Sequence, residues 1–351
     1  MPDSRAGSRG QEAEDRLALM RLIFGAAAAH AVGAAVRLGV PDRFADAERT
    51  TDEVAAECGA DPDALLRLVR ALAGLGLMRE TRPGRFALTS TGQLLRQDAA
   101  DSFAGLARLF TEPLLGRSFA WLAESVRTGD PAFQQVFDVP FFAYLEQRPE
   151  LSARFNAAMG EVTRATAAVL CEGYDFSAAH TVVDVGGGDG TLLAAVLRAH
   201  PGLNGIVYDT ARGLAQAAGT MEEAGLSERF TPVVGDFFDS VPEEADVYLL
   251  KSVVHDWNDD RCRTILRTVR AALPPHGRLL LIEPVLPPAA DPRAVVGYLS
   301  DLNMLVNLGG RERTAEDFAA LCEATGFGPP AITPLPAPSP FSLIEAAPRA
   351  D

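Results

Sequence analysis

The stretch VVDVGGGDG, residues 182–190, constrains the fold of this chain more than any other feature. Small apolar residues and an acid lead into the glycines, and TLLAAVLRAH, residues 191–200, follows with apolar residues at helical spacing. The glycine-rich turn is therefore predicted to lie between a buried strand and a helix. A dinucleotide, a nucleotide and S-adenosylmethionine (SAM) are the candidate ligands of such a turn.

The spacing of the glycines narrows that choice. A dinucleotide fingerprint has the form G-x-G-x-x-G, whereas this chain has glycines at 186, 188 and 190 and Thr191 at the position of the third dinucleotide glycine. The Gly-Lys-Ser/Thr ending of a Walker loop is missing as well. What remains is a turn so tight that its backbone contacts the ligand, and glycine permits both that approach and the required dihedrals.

Short apolar runs alternate with helical stretches from Thr181 onwards. This βα repeat predicts a parallel sheet with helices on both faces. The C-terminal stretch AITPLPAPSPFSLIEAAP predicts a closing hairpin of two strands. The predicted βα strands are TVVDV (181–185), GIVYD (205–209), TPVV (231–234), DVYLL (246–250) and RLLLIEP (278–284).

Polar or aromatic residues follow three of these strands where each strand ends. Asp209 closes the second strand at a distance suited to a ribose diol. Asp236 and Phe237 stand at the tip of the third strand, where an acid can accept from an adenine amino group and a ring can pack on the base. Lys251 ends the fourth strand. Because open α/β sheets bind ligands at the carboxyl ends of their strands, these residues predict a binding site at one sheet edge.

The N-terminal part of the chain predicts a winged helix that follows a flexible tail over residues 1–13. A helix is predicted over residues 15–38, and two short helices meet around Gly59 within residues 50–80. GRFALTSTGQLL, residues 84–95, predicts a short hairpin and a further helix start.

The charge of this module disfavours the DNA-binding role of a winged helix. From Thr51 to Ser90 there are five arginines, no lysine and six acids, whereas a groove-reading module carries a basic excess. The whole chain has a formal net charge of −15, which repels phosphate backbones and anionic membranes. We therefore expect no nucleic-acid partner and no membrane partner, and a helical packing or dimerisation domain instead.

The cysteines and the N-terminus predict a cytoplasmic protein. The four cysteines are scattered without a CxxC pair, which disfavours a disulfide framework or a zinc cluster. The first fifteen residues are polar and lack the apolar segment of a signal peptide. The apolar stretch at residues 24–36 is too short to span a bilayer.

Taken together, the motifs resemble the class I SAM-dependent small-molecule O-methyltransferases of the plant type and their bacterial natural-product relatives. The resemblance extends from about residue 17 to residue 345. The segments that carry it are VDVGGGDG, GDFF, LLKSVVHDW (249–257), LLLIEP and DLNMLVNLGGRERT (301–314) followed by Gly326-Phe327, together with FNAAM (155–159) and the winged-helix start.

This resemblance implies an α/β fold, with a Rossmann-like seven-stranded SAM-binding catalytic domain over residues 179–351. A winged-helix dimerisation domain over residues 14–100 and a helical substrate-pocket region over residues 101–178 precede it. The resemblance also implies a homodimer in which the N-terminal domain of each protomer closes the pocket of its partner, and an enzyme that needs no metal. The resemblance assigns the SAM site to Gly186, Gly188, Asp209, Asp236, Phe237 and Lys251.

His255, in KSVVHDW, matches the family's catalytic base and follows the fourth strand. A phenol has a pKa near 10 by analogy with tyrosine, so a general base speeds its methylation by about 10²- to 10⁴-fold. Glu283, at the end of the fifth strand, and Glu312, in GGRERT, match family positions that flank the base and fix its tautomer.

Nearby residues leave alternatives open. Glu312 can instead form a surface salt bridge with Arg311 or Arg313, and Asp256 can be a local structural acid. Asn258 or Asp259 is expected to cap the following helix, which explains the acidic cluster without a metal.

Residues 103–180 are predicted to be mostly helical and rich in aromatics, which can form a helical core or wall an apolar pocket. Methionines and phenylalanines there can sandwich a flat aromatic acceptor. The predicted substrate-binding residues are Phe142, Phe155, Asn156, Met159, Asn303, Met304 and Asn307.

Three functions compete at this level. The first is O-methylation of a phenolic or related hydroxyl of an aromatic secondary metabolite such as a polyketide or an aromatic acid. The second keeps the fold and SAM but changes the chemistry to N- or C-methylation, hydroxylation, decarboxylation or a pericyclic reaction. The third is a winged-helix transcriptional regulator, which the acidic charge of that module disfavours. His255 with Glu283 and Glu312 favours the first.

Overall fold

The computed structural model describes residues 3–337 and 339–349, and side chains from residue 10 onwards within them. The chain divides into two compact units, Met1–Glu112 and Pro113–Asp351. The division falls inside residues 101–178, so the functional domain limits given above stay predictions.

The described part of the N-terminal unit is mostly helical and carries a small sheet. Its helices are α1 (Asp3–Ile23), α2 (Gly25–Arg37), α3 (Val40–Phe44), α4 (Thr51–Cys58), α5 (Pro62–Gly74), α6 (Ser90–Gln93) and α7 (Ala104–Phe110). Its strands are β1 (Arg49–Thr50), β2 (Met78–Arg82) and β3 (Arg85–Leu88), which pair in the antiparallel order β1-β3-β2.

Local sequence signals set the ends of α4 and α5. Thr50 caps α4 in a reciprocal capping box with Glu53, and Gly59 ends that helix with a φ of 65°. Asp61 caps α5, whose first residue is Pro62. The predicted helix-turn-helix is therefore confirmed. The hairpin predicted within residues 84–95 begins earlier than expected, because its first strand is β2, whereas β3 and the start of α6 lie in the predicted range.

Helix α1 corrects the prediction of a flexible tail over residues 1–13. The helix runs back to Asp3, while residues 1 and 2 lie outside the described part of the chain. The described side chains of α1, residues 10–23, are exposed. Because the polar half of α1 buries no face, its sequence shows no apolar periodicity that would predict a helix. Helix-favouring residues and an i,i+4 hydrogen bond from Gln11 to Asp15 (2.9 Å) stabilise this half.

The end of α1 is apolar as well as exposed. Within the described residues no single helix has the length and hydropathy of a membrane span, although the bent pair Gly10–Ile23 and Gly25–Arg37, at 51°, passes that test jointly. The exposed large apolar side chains here are Leu17, Leu19, Met20, Leu22, Ile23 and Phe24.

The second unit combines a helical segment with a large sheet. Its described helices are α8 (Pro113–Phe119), α9 (Leu122–Thr128), α10 (Ala132–Phe137), α11 (Phe141–Glu146), α12 (Pro149–Gly173), α13 (Thr191–Ala199), α14 (Ala217–Glu223), α15 (Asp259–Ala272), α16 (Val295–Asn307) and α17 (Ala315–Ala324). Its described strands are β4 (Thr181–Val185), β5 (Asn204–Asp209), β6 (Phe230–Val234), β7 (Val247–Lys251), β8 (Arg278–Glu283), β9 (Val285–Leu286), β10 (Arg313–Thr314), β11 (Ala331–Pro334) and β12 (Ser342–Ala346).

The large sheet has the order β11-β12-β8-β7-β4-β5-β6. Strands β4 to β8 run parallel, whereas β12 is antiparallel to both β8 and β11. The five predicted βα strands and the closing hairpin are confirmed. This mixed seven-stranded sheet is the Rossmann-like arrangement that the resemblance implied.

Strand residues alternate between two apolar cores, one on each face of the sheet. Val183 of β4 and Tyr248 of β7 face one core, which α15 and α17 cover. Val182 and Leu249 face the other, which α12 and α13 cover. Because both faces are buried, these strands are mostly apolar, with Asp184 inside β4 as a buried exception, and the other polar groups follow at the strand ends.

Candidate active site

The glycine turn joins β4 to α13 in a conformation that requires glycine. Gly186, Gly188 and Gly190 have φ values of 71°, 55° and 76°, a region that other residues rarely adopt. A Cβ on Gly188 would meet no atom within 4 Å, so space is left against the backbone of the turn.

Asp209, at the end of β5, is joined to this turn. Its Oδ2 accepts from the Gly188 N–H at 2.9 Å, and its Oδ1 accepts from the Thr210 N–H at 2.6 Å. Burial raises the pKa of Asp209, against the effect of these hydrogen bonds. Further donors, such as the two hydroxyls of a ribose, would stabilise this carboxylate.

Asp236 and Phe237 follow β6 on the same edge of the sheet. Asp236 Oδ1 accepts from the Phe238 N–H at 2.9 Å. The Phe237 ring lies 3.7 Å from the position of a Cβ on Gly186, so this ring borders the glycine turn. The structure therefore brings Gly186, Gly188, Asp209 and Phe237 together as predicted.

Two ionisable groups with shifted pKa values, the half-buried Lys251 and the buried Asp184, lie at or near the ends of β7 and β4. Burial lowers the pKa of Lys251 to about 8 although Glu283 and Asp184 favour its charged form. Its Nζ lies 3.0 Å from Ser252 Oγ and 4.7 Å from the Phe341 ring centre. Burial and then Asp209 raise the pKa of Asp184 to about 7. Sequence reasoning gave Asp184 no role, because an acid inside an apolar strand carries no signal of which ligand it serves.

His255 lies on a single 3-10 turn, Val254–Asp256, directly after β7. Its Nδ1 is 3.3 Å from Glu283 Oε2 and 3.2 Å from Glu312 Oε1. Its Nε2 is 3.4 Å from Asp256 Oδ1. The side chain of His255 is 13% exposed and those of both glutamates are fully buried, so the predicted base and its two acids form one cluster.

Backbone and side-chain donors hold the two glutamates in place. Glu283 ends β8, which is parallel to and paired with β7, and its Oε1 accepts from the N–H groups of Val253 (3.0 Å) and Val254 (2.8 Å). Glu312 Oε1 accepts from Ser300 Oγ at 2.7 Å. Glu283 therefore keeps Oε2 for the imidazole, whereas both oxygens of Glu312 lie near Nδ1, Oε1 at 3.2 Å and Oε2 at 3.3 Å.

The cluster strongly favours a protonated imidazole. Burial opposes the charged form, but Glu283, Asp256 and Glu312 outweigh it and raise the pKa of His255 to about 10. Burial, together with Glu283 and Glu312, raises the pKa of Asp256 to about 7. A neutral His255 is consequently a strong base.

Three expectations about the neighbours are resolved by these contacts. A surface salt bridge of Glu312 is wrong, because Glu312 is only 4% exposed and faces His255. Asp256 is more than a local structural acid, since its carboxylate faces the ring. Asn258 is the helix cap, and its Oδ1 accepts from the Arg261 N–H at 3.1 Å.

The cluster also has metal-binding distances. His255, Glu283 and Glu312 each offer one atom, and these atoms lie within 4.8 Å of one another. Treatment of the enzyme with a chelator therefore tests the expectation that it needs no metal.

An aromatic wall extends from the cofactor side towards the helices. Trp257 stacks on Phe142 (5.8 Å between ring centres, 29°) and meets Phe237 edge-on at 6.2 Å. Phe142 contacts Phe155 of α12 at 6.3 Å. Trp257 was not among the predicted site residues, although its place two residues after His255 was a usable signal.

The amide of Asn156 is used elsewhere. Its Nδ2 donates to the Gly213 carbonyl at 3.3 Å, and Gly213 borders Asp209, since a Cβ there would lie 2.2 Å from its Oδ1. Asn156 therefore supports the loop beside the cofactor residues. Met159 is half-buried on the same helix, one turn from Phe155.

A hydrogen-bond chain crosses α16. Ser118 Oγ of α8 donates to Asn307 Oδ1 at 2.6 Å, and Asn307 Nδ2 donates to Asn303 Oδ1 at 2.9 Å. Asn307 and Met304 are buried, whereas Asn303 is half-buried. The chain orients the Asn303 amide with its NH₂ group unused within the described residues. No sequence pattern pointed to Ser118.

Comparisons with known proteins agree with this architecture. An O-methyltransferase domain model matches residues 119–328, and an O-methyltransferase dimerisation domain model matches residues 20–98. The chain is 48% identical over 333 residues to an O-demethylpuromycin-O-methyltransferase of Streptomyces alboniger, covering 94% of this chain and 88% of that protein. The chain therefore belongs to the SAM-dependent O-methyltransferase family.

Two further relatives differ in their acceptors. One is an 8-amino-8-demethylriboflavin N,N-dimethyltransferase of Streptomyces davaonensis, 36% identical over 84% of this chain and 85% of that protein. The other is a crystal structure of an O-methyltransferase from neocarzinostatin biosynthesis with SAM and 2-hydroxy-5-methyl naphthoic acid. It has a TM-score of 0.76 and 36% identity, covering 91% of this chain and 95% of that chain.

The residues of this site fit SAM, which is the cofactor of the enzyme. The glycine turn leaves its backbone open, Asp209 has a carboxylate to offer a diol, and Phe237 offers a ring beside the turn. The fold class and the cofactor inferred from the sequence are thereby confirmed.

Proposed function

We propose that this enzyme methylates a phenolic hydroxyl of an aromatic secondary metabolite, with His255 as the general base. The observation that carries the proposal is the buried imidazole between Glu283, Glu312 and Asp256. The puromycin relative and the naphthoic acid complex support the acceptor class.

The proposed SAM site lies on the edge of the sheet formed by the ends of β4 to β7. Asp209 would hold the ribose hydroxyls, Asp236 the adenine amino group, and Phe237 the adenine ring, while Gly186 and Gly188 allow close approach. Lys251, the last residue of β7, would lie at the same edge beside the cofactor. When bound, SAM supplies an electrophilic methyl group on a sulfonium.

His255 acts through the nitrogen that the glutamates leave free. Because Nδ1 faces the glutamates, its N–H donates to Glu312 Oε2 at 3.3 Å, with Glu283 Oε2 beside it as a second negative charge at 3.3 Å, and Nε2 carries the lone pair. Nε2 takes the hydroxyl proton of the acceptor as the oxygen forms its bond to the methyl carbon. Asp256, 3.4 Å from Nε2, then accepts from the new N–H.

The pKa of this base suits a phenol. A phenolic pKa near 10 and a His255 pKa of about 10 make the proton transfer nearly neutral in free energy. The productive state contains one proton fewer than the resting state at pH 7, whether it is written as imidazole and phenol or as imidazolium and phenolate. Activity is therefore expected to increase with pH.

The acceptor pocket is proposed to be aromatic with a polar end. Phe142, Phe155 and Trp257 would contact the flat face of the acceptor, with Met159 and Met304 lining the same pocket. Asn303, with an unused NH₂ group, would donate to an oxygen of the acceptor, while Asn307 and Asn156 act by holding neighbouring groups.

N-methylation is the second candidate, because the riboflavin relative methylates an amine. An aromatic amine is neutral and nucleophilic before it loses a proton, so His255 would contribute little to its methylation. The effect of removing His255 therefore separates the two functions.

The test is transfer of label from methyl-labelled SAM to matched phenols and aryl amines of naphthalene and benzoate frameworks. We expect labelled phenol ethers from the wild type, at least 10²-fold less from His255→Ala, and full activity from His180→Ala, which removes an exposed histidine. Label only on amines, at a rate independent of His255, would support N-methylation. No label on either class would refute both.

We further propose a homodimer formed through the dimerisation domain. The exposed apolar end of α1 supports this, since such surfaces mark interfaces. Leu22→Asp is expected to give monomers by light scattering, whereas Arg16→Asp, on the same helix, tests for a general effect of charge.

The four free cysteines support a cytoplasmic location.

A further inference from the structure

Arg313 follows Glu312 in the chain and has a fully buried guanidinium. Nη1 donates to the Val254 carbonyl at 2.8 Å, and Nη2 donates to the Trp257 carbonyl at 2.9 Å. Nη2 and Nε both donate to Asp259 Oδ1, at 2.7 and 3.1 Å. The Arg313 guanidinium therefore donates hydrogen bonds to backbone carbonyls on both sides of His255 and Asp256.

The two held carbonyls bracket the catalytic turn. Val254 precedes His255 and Trp257 follows Asp256, so their positions fix where both side chains point. Cys262 Sγ contacts the same two carbonyls, at 3.1 and 3.3 Å. Arg313 also directly follows Glu312, whose Oε1 lies 3.2 Å from His255 Nδ1.

We infer that Arg313 is a positioning residue that sets His255 against Glu312 and Asp256 for proton transfer. The inference rests on the function proposed for His255. A buried arginine with a single acidic partner is an expensive way to stabilise a fold. A planar fork with five donors, however, can hold several acceptors in one fixed arrangement.

Lysine separates charge from geometry at this position. It keeps a cation near Asp259, but three donors on one atom cannot reach both carbonyls in the plane of the fork. A displacement of a catalytic group by about 1 Å can cost about 10²-fold in rate. Arg313→Lys is therefore expected to lower kcat by about 10²-fold and to leave the Kd of SAM within about twofold.

Arg311 provides a matched control. It lies two residues away and pairs at the surface with Asp317 at 2.8 Å and with Asp259 at 3.5 Å. Arg311→Lys should keep kcat within about twofold. Asp259→Asn is a milder second probe, because it weakens the anchor of the guanidinium without removing the fork, and it should lower kcat by about tenfold.

The decisive experiment is a double-mutant cycle of Arg313→Lys and His255→Ala, measured in folded protein as kcat for the naphthalene or benzoate phenol that the wild type labels. If Arg313 acts through His255, Arg313→Lys has no further effect once His255 is removed. Equal fold losses in both backgrounds would overturn the inference and leave a structural role. The pH–rate profile of Arg313→Lys alone is a second readout. Its rising limb should move to lower pH, because the imidazole moves away from the carboxylates that raise its pKa.

The failure of each idea can be recognised separately. Full activity of His255→Ala would refute His255 as base. Loss in His255→Ala with none in Arg313→Lys would refute the positioning role alone. If Arg313→Lys does not fold, the same cycle is run with Asp259→Asn, where equal losses in both backgrounds again refute the inference.

Discussion

A single carbon added at Gly310 should directly disturb the backbone that carries His255 and Asp256. A Cβ built on Gly310 would lie 2.0 Å from the His255 carbonyl oxygen, 2.3 Å from the Asp256 carbonyl carbon and 2.6 Å from the Asp256 oxygen. Ordinary contacts begin near 3.4 Å. All three of these atoms are backbone, so no side-chain rotation can relieve the overlap.

The required movement sets the size of the effect. Restoring contact with the His255 oxygen needs a displacement of about 1.4 Å, the difference between 3.4 and 2.0 Å. A misplacement of about 1 Å can cost about 10²-fold in rate, so Gly310→Ala should lower kcat by 10²-fold or more. Overpacking of this kind also costs about 1–3 kcal/mol of unfolding free energy.

The assay is initial-rate methyl transfer, with SAM affinity measured by calorimetry and folding by thermal unfolding. The Kd of SAM should change little, because the glycine turn and Asp209 are remote in sequence and on other strands. Gly219→Ala is the control, since a Cβ there meets no atom within 4 Å in α14. Near-wild-type kcat for Gly310→Ala would refute the claim that this backbone contact positions His255.

Further outcomes follow from the same contacts. Activity at low acceptor concentration should rise about tenfold per pH unit from pH 7 to 9, because the neutral form of His255 gains population towards its pKa of about 10. Glu312→Gln should shift that limb to lower pH, since one charge that raises the pKa is lost, and an unshifted limb in a pH–rate profile would contradict this. Asp209→Ala should weaken SAM binding by at least tenfold in calorimetry, and unchanged affinity would remove it from the site. Ser118→Ala should raise KM for acceptors with an oxygen near the reacting hydroxyl more than for plain phenols, because Asn303 loses its fixed orientation, and equal KM changes would argue against that role. Activity should survive exhaustive treatment with a chelator, whereas restoration by added metal would show that the cluster binds one.

The sheet and its ligand edge were accessible from the sequence because they depend on local patterns. Apolar runs between helical stretches gave the strands, and the glycines at 186, 188 and 190 gave the turn. The acids at strand ends, such as Asp209 and Glu283, could be placed on one edge since parallel strands end on the same side.

Other features depend on contacts that no pattern reveals. The role of Asp256 required knowing that its carboxylate turns back to its neighbour's ring. Arg313 resembles a surface charge in GGRERT, yet the carbonyls of Val254 and Trp257 and the carboxylate of Asp259 that it contacts lie more than fifty residues earlier in the chain. Helix α1 was missed in part because its polar half buries nothing.

The origin of each group in the site has a consequence for how such enzymes diverge. His255 follows β7 and Glu283 ends β8 near the centre of the sheet, whereas the proposed ring contacts Phe142 and Phe155 come from α11 and α12. Changes in those helices can alter the shape of the pocket while the proton-transfer apparatus stays in place. An ancestral scaffold of this design could therefore acquire new acceptors by exchanging helical segments alone, and chimaeras joined between β4 and its preceding helix offer a direct way to engineer them.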